Sequence, residues 1–130
     1  MSTAALVSED LELFGDLPKT LTHQGHRVLT STGIVELDRF IRRHTLDVLV
    51  IDLKLDDAQG HGLIALMRER CPRATIIVIA ESCTPELELK LRSYGVVHIS
   101  LRPVDTGLLS ELVTHCIANG TASSARERIQ

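Results

Sequence analysis

The sequence predicts an α/β domain built on a parallel sheet with helices on both faces. Five short aliphatic or β-branched runs alternate with five helical stretches along the chain. The best of these runs are continuously apolar, as in strands buried on both sides. Helix-ending signals fall between them, at Gly25, Cys71-Pro72 and Gly95.

Residues 4–7 are the first strand, and a helical segment carrying Leu13, Leu17 and Leu21 leads to Gly25. Pro18 interrupts that segment. Because proline lacks an N–H and crowds the preceding turn, a kink or a restart capped by Asp16 is expected. Residues 26–29 are the second strand; Ile34, Leu37, Phe40 and Ile41 then form one face of a helix ending near His44. The third strand, residues 46–52, ends abruptly on Asp52 and gives way to a polar loop reaching Gly60. Leu63, Ile64, Leu66 and Met67 mark a helix stopped by Cys71-Pro72, and residues 75–80 are the fourth strand. Thr84-Pro85-Glu86 reads as an N-cap with proline at the first helical position, and Gly95 closes that helix. After a fifth strand over residues 96–101, Asp105 caps a helix whose apolar stripe is Leu108, Leu109, Leu112, Val113, Cys116 and Ile117. The expected organisation is one domain over residues 1–120 and a polar, frayed tail or linker start over 121–130.

Composition excludes several functions. The formal charge is −3, and Arg39, Arg42 and Arg43 are the sole compact basic group, which argues against direct nucleic-acid binding. No apolar run reaches membrane-spanning length, and the first ten residues have no basic region or long apolar segment of a secretory leader. Cys71, Cys83 and Cys116 lack CxxC spacing and read as reduced, mostly buried thiols of a cytoplasmic protein. His23 and His26 have a spacing compatible with a metal but no companion ligands. Residues 8–15 hold no glycine-rich phosphate cradle, the chain has no tryptophan, and no GxSxG occurs. A small cofactor binder of the same fold class is thus a minor alternative, and a hydrolase lacks its nucleophile.

Asp52 draws attention because ligands and reactive groups in open α/β sheets gather beyond the carboxyl ends of the strands. With Asp52 after strand three, Gly60 in the following loop, Arg102-Pro103 after strand five and glycines at the helix ends, the chain resembles a response-regulator receiver domain over roughly residues 4–117. The resemblance implies a flavodoxin-like doubly wound sheet of order 2-1-3-4-5. It also implies a signalling module, not an enzyme, that accepts a phosphoryl group on Asp52 with Mg2+. A histidine kinase or phosphotransfer protein would be the donor, and a downstream effector protein the target. The metal would be held by Asp52, Glu9 and the Lys54 backbone carbonyl, with Ser8 through a water or Asp10 as further candidates. A plainer account of Glu9 and Asp10 is that acids suit the start of a helix.

The sequence departs from the receiver pattern at several positions. The acidic pair after strand one reads Ser8-Glu9, unless Glu9-Asp10 takes its place. Asp56 stands where receivers usually carry proline. Ala80 replaces a hydroxyl residue and Ile99 an aromatic one, so the usual hydroxyl–aromatic switch is degenerate; alanine has no side-chain donor. Arg102 replaces lysine. It can contact a phosphoryl group, form a salt bridge with Asp52, fill the pocket, or simply be a surface arginine before a structural proline. The alternative function is a phosphorylation-independent pseudo-receiver that dimerises or docks.

One further position concerns partners. Residues 85–92 alternate apolar and polar, yet the flanking caps favour a helix; Leu87, Leu91 and Tyr94 then share a face and Leu89 lies opposite. Leu89 is expected to be exposed and to contribute to a homodimer or docking surface of helix four, strand five and helix five. Single exposed leucines are also common without any partner.

Overall fold

Successive strand residues point to opposite faces, and in the three central strands both faces are apolar and buried, so those strands must be covered twice. A computed structural model describes residues 1–55 and 60–129. Its strands are β1 (Thr3–Val7), β2 (Arg27–Ser31), β3 (Val48–Asp52), β4 (Thr75–Ala80) and β5 (Val96–Leu101). They form one parallel sheet in the order β2-β1-β3-β4-β5. The intervening helices are α1 (Leu17–His23), α2 (Ile34–Arg43), α3 (Gly60–Arg70), α4 (Pro85–Ser93) and α5 (Thr106–Ile129).

The two-residue period divides the core cleanly. Ala4, Leu6, Val48, Val50, Ile77 and Ile79 pack with Leu17 and Leu21 of α1 and Leu109 and Val113 of α5. Their neighbours Ala5, Val7, Leu49, Ile51, Ile76 and Val78 pack with Leu37 of α2, Ile64 and Met67 of α3, and Leu91 of α4. This is the doubly wound, flavodoxin-like arrangement expected from the sequence, with the sheet order as implied.

Several local expectations are revised. Leu13 lies in a separate 3₁₀ turn, Leu11–Phe14, whose N-cap is Asp10. Gly15 then breaks the chain direction at φ 55°, and a Cβ there would meet Thr106 at 3.2 Å. The helix restarts with Pro18 in its first turn, where the missing N–H costs nothing. Asp16 occupies the N-cap position but makes no side-chain cap bond. Thr84 and Asp105 do cap α4 and α5, accepting from the Leu87 and Leu108 N–H groups.

Gly60 opens α3, and Gly120 does not stop α5, whose backbone runs on to Ile129. A helical glycine costs about 1 kcal/mol, too little to end a helix followed by good helix formers. Leu108 is exposed and is not part of the α5 core stripe. It is turned about 100° from buried Leu109, and the first turn leaves that side open. Asp56 lies outside the described residues.

One irregularity shapes the functional end of the sheet. β5 pairs Ile76 with Val96 but Ile77 with His98, so Val97 is an extra residue. Every later β5 residue is shifted by one, and Ala80 faces Leu101. Arg102 consequently becomes the first residue past the sheet, its N–H donating to the Ala80 carbonyl at 3.0 Å.

Candidate functional site

Val7 pairs with Ile51 across the β1–β3 seam, so the next residues, Ser8 and Asp52, leave the sheet side by side. Both are buried: Ser8 is 0% and Asp52 1% exposed. An unpaired carboxylate in that position would cost several kcal/mol. Three contacts offset this. The Ser8 hydroxyl donates to Asp52 Oδ2 at 2.8 Å, the Lys54 backbone N–H donates to Oδ1 at 3.0 Å, and Arg102 Nη2 forms an ion pair with Oδ2. Ser8 Oγ in turn accepts the Asp10 N–H at 3.0 Å, which fixes its orientation.

Arg102 closes the site from the β5 side with its side chain 22% exposed. Its second terminal nitrogen, Nη1, is buried with no hydrogen-bond partner among the described residues. A buried guanidinium donor without an acceptor is expensive. Of the roles the sequence left open for Arg102, the salt bridge is the one observed.

Other sequence candidates fall around this centre in different ways. Ala80 ends β4 and is buried at 2% exposure; Ile99 is half-buried against the core cluster of α2, α3 and α4. Lys54 directs its side chain to Glu81, 3.8 Å away, in an exposed pair worth little to stability. Glu9 and Asp10 are exposed. Asp10 is committed as a cap, its Oδ1 accepting the Glu12 N–H at 3.1 Å. Leu89 is 72% exposed, while Leu91 is buried and Leu87 and Tyr94 pack on the core, the distribution that the helical reading requires.

The donor set of the described residues does not fit a magnesium ion. Magnesium asks for an octahedron of oxygen acceptors, but both Asp52 oxygens already take hydrogen bonds and one carries a cation. Among the described residues no three His, Cys, Asp or Glu side chains are grouped to hold a metal.

Sequence reasoning missed Arg68. Its guanidinium donates to the carbonyls of Tyr94 at 2.7 Å, Ala74 at 2.8 Å, Pro72 at 3.1 Å and Gly95 at 3.3 Å, tying α3 to the starts of β4 and β5. The available signal was a cation in the last turn of a helix, where it meets free carbonyls. No helix among the described residues is long and apolar enough to cross a membrane.

No family model matches the chain. It is 26% identical over 108 residues to the transcriptional regulatory protein GlrR of Escherichia coli (strain K12), covering 83% of this chain and 24% of that protein. The chain thus spans about a quarter of the length of the curated relatives it matches. The beryllofluoride-activated NtrC4 receiver domain dimer superposes with a TM-score of 0.77 at 19% identity, covering 92% of this chain and 99% of that one. A Burkholderia pseudomallei response regulator containing a phosphorylated aspartic acid, calcium ion and citrate gives 0.72 at 17% identity, covering 99% and 74%.

Proposed function

We propose that this chain, which has the receiver-domain fold and response regulators among its relatives, is a cytoplasmic phosphorelay module that accepts a phosphoryl group on Asp52. The observation that supports this most directly is the pairing of a buried carboxylate with a guanidinium that keeps one buried donor unmatched among the described residues. Phosphoryl transfer is governed by positioning and charge neutralisation, and both are provided around Asp52.

The reaction is nucleophilic attack by a carboxylate. An Asp52 oxygen forms a bond to phosphorus as the donor's bond to phosphorus breaks. With a phosphohistidine of a kinase or phosphotransfer protein, the electron pair of the broken P–N bond stays on the imidazole nitrogen. Ser8 and the Lys54 N–H hold the carboxylate in place during attack. Arg102 stays with the group afterwards, when its negative charge is larger.

Output would pass by protein contact. The receiver hydroxyl that follows a phosphoryl group is replaced by the Ala80 methyl, so Arg102, the residue after β5, is the group that can register the new charge. Exposed Leu89, Val97, Leu101 and Leu108 lie on α4, β5 and α5, the elements assigned here to a partner or a second copy. The NtrC4 receiver, which shares this fold, is a dimer, and that supports a second copy as one occupant.

Intact-mass measurement after incubation with acetyl phosphate in the presence of magnesium tests the acceptor. A single phosphoryl adduct, absent in Asp52→Asn, is expected. An unmodified mass under conditions that label an ordinary receiver would leave a phosphorylation-independent docking module as the function.

A further inference from the structure

We infer that Arg102 stands in for the divalent cation at Asp52. One terminal nitrogen of its guanidinium neutralises the carboxylate, and the other is a donor for a phosphoryl oxygen. The second half of this inference rests on Asp52 being the acceptor; the first half does not.

Charge is the first argument. Asp52 and Arg102 form a neutral pair, with Nη2 on Oδ2. A doubly charged ion entering beside them would have one compensated carboxylate to bind and a fixed positive charge to repel it. Among the described residues, the acids that follow Ser8, Glu9 and Asp10, are exposed, and Asp10 is taken up in capping the 3₁₀ turn.

Donor polarity is the second argument. The Ser8 hydroxyl points its hydrogen at Oδ2 and accepts the Asp10 N–H with its oxygen. The Lys54 N–H points at Oδ1. Among the described residues the hydrogen-bond partners of Asp52 therefore all present hydrogens, where a magnesium shell needs oxygen lone pairs.

Geometry is the third. A guanidinium is a planar fork that matches a pair of oxygens on a carboxylate or phosphate, which the compact ammonium of lysine cannot do. Arg102 uses one prong on Asp52 and leaves Nη1 buried and unmatched among the described residues. With acetyl phosphate, an Asp52 oxygen bonds to phosphorus, the bond from phosphorus to the acetyl oxygen breaks, and acetate leaves with that electron pair. The Nη1 donor then holds a non-bridging phosphoryl oxygen without a metal.

The test uses the intact chain with acetyl phosphate in EDTA and in magnesium, read by intact mass, for wild type, Arg102→Ala, Arg102→Lys and Asp52→Asn. A second arm follows the amide resonances of Ser8 and Asp52 on adding Mn2+. The adduct should form at the same rate in EDTA and magnesium. Arg102→Ala should slow it about 100-fold in EDTA, the scale of losing a charge-stabilising donor. Arg102→Lys, which keeps the charge and is expected to fold, should slow it about tenfold because a point charge cannot serve both groups. Mn2+ should leave the two amides sharp.

An adduct that requires the divalent ion would overturn the inference while leaving the acceptor reading intact. So would Mn2+ broadening that disappears in Asp52→Asn. Absence of any adduct would instead remove the acceptor reading, and the Mn2+ arm would still decide whether Arg102 replaces the cation.

Discussion

The Ser8 hydroxyl donates to Asp52 Oδ2 at 2.8 Å, joining the ends of β1 and β3 by a buried hydrogen bond. Receivers place a carboxylate near this point, so the serine changes both charge and hydrogen-bond direction. Ser8→Ala leaves one contact of a buried carboxylate unmade and should destabilise the domain by about 1–3 kcal/mol in urea unfolding. Ser8→Asp should be less stable than wild type in EDTA, because two buried carboxylates repel, and should regain stability on adding magnesium. A Ser8→Asp protein indifferent to magnesium would show that the second carboxylate does not reach the site.

The Arg102–Asp52 pair can be isolated by a double-mutant cycle. Arg102→Ala should cost about 2–4 kcal/mol, somewhat less than for a fully dry pair because Arg102 is partly exposed. Asp52→Asn should remove most of the penalty of Arg102→Ala, since an amide needs no counter-charge. Equal effects of Arg102→Ala in both backgrounds would mean that the ion pair contributes nothing.

Arg68 is a structural clasp. Its fork reaches carbonyls just ahead of both β4 and β5, among them Ala74 and Tyr94. Arg68→Lys keeps the charge but not the fork and should cost about 2–3 kcal/mol. Gly95→Ala should act at the same place, by about 1–2 kcal/mol, because its φ is +82° and a new Cβ would approach Arg68 Nη2 at 3.3 Å. Denaturation midpoints of the two single variants and the pair would reveal their coupling.

The thiols should be sluggish near neutral pH. Burial pushes the Cys71 thiol up, with Arg68 and Arg70 pulling back more weakly, and burial likewise raises Cys83 and Cys116. A raised value means less thiolate at a given pH, so iodoacetamide labelling should be slow at pH 7 and accelerate as pH rises. Cys71, the most enclosed, should label last. Peptide mapping of a labelling time course checks the order; Cys71 reacting first would mean that α3 opens locally.

Leu89→Glu should leave stability within about 0.5 kcal/mol, because the side chain stands in solvent. If α4 carries the output surface, the same change should weaken self-association or effector binding in sedimentation or titration experiments. Unchanged association together with unchanged stability would make Leu89 an ordinary exposed leucine.

Much of the fold was legible because burial leaves a periodic trace. The run from Val48 to Ile51 could only be a strand covered twice, and Thr75–Ala80 was read to the residue. Thr84-Pro85 and Asp105 announced their helices through local cap chemistry, which needs no distant partner. The placement of Asp52 at the carboxyl end of β3 was legible because the apolar run stops on it. The 3₁₀ turn at Leu11–Phe14 and the continuation of α5 past Gly120 were not legible, since glycine and proline signals there depend on what the neighbouring turn can tolerate.

The sequence by itself therefore determined most of the core-facing residues, the ends of four of the five strands and the position of Asp52 at the carboxyl end of β3, while β2 runs on to Ser31 and Leu108 faces solvent. The features so determined follow from hydrophobic period and local backbone chemistry. Tertiary structure alone decided which side chains meet Asp52. The extra residue Val97 in β5 shifts the register against β4, and that shift makes Arg102 the first residue beyond the sheet. A one-residue slip in a strand redirects every side chain after it, and nothing in the composition of residues 96–102 marks where it occurs. The pairing of Ser8, Asp52 and Arg102 is a product of register between three strands far apart in the chain, so it exists only once the sheet is assembled.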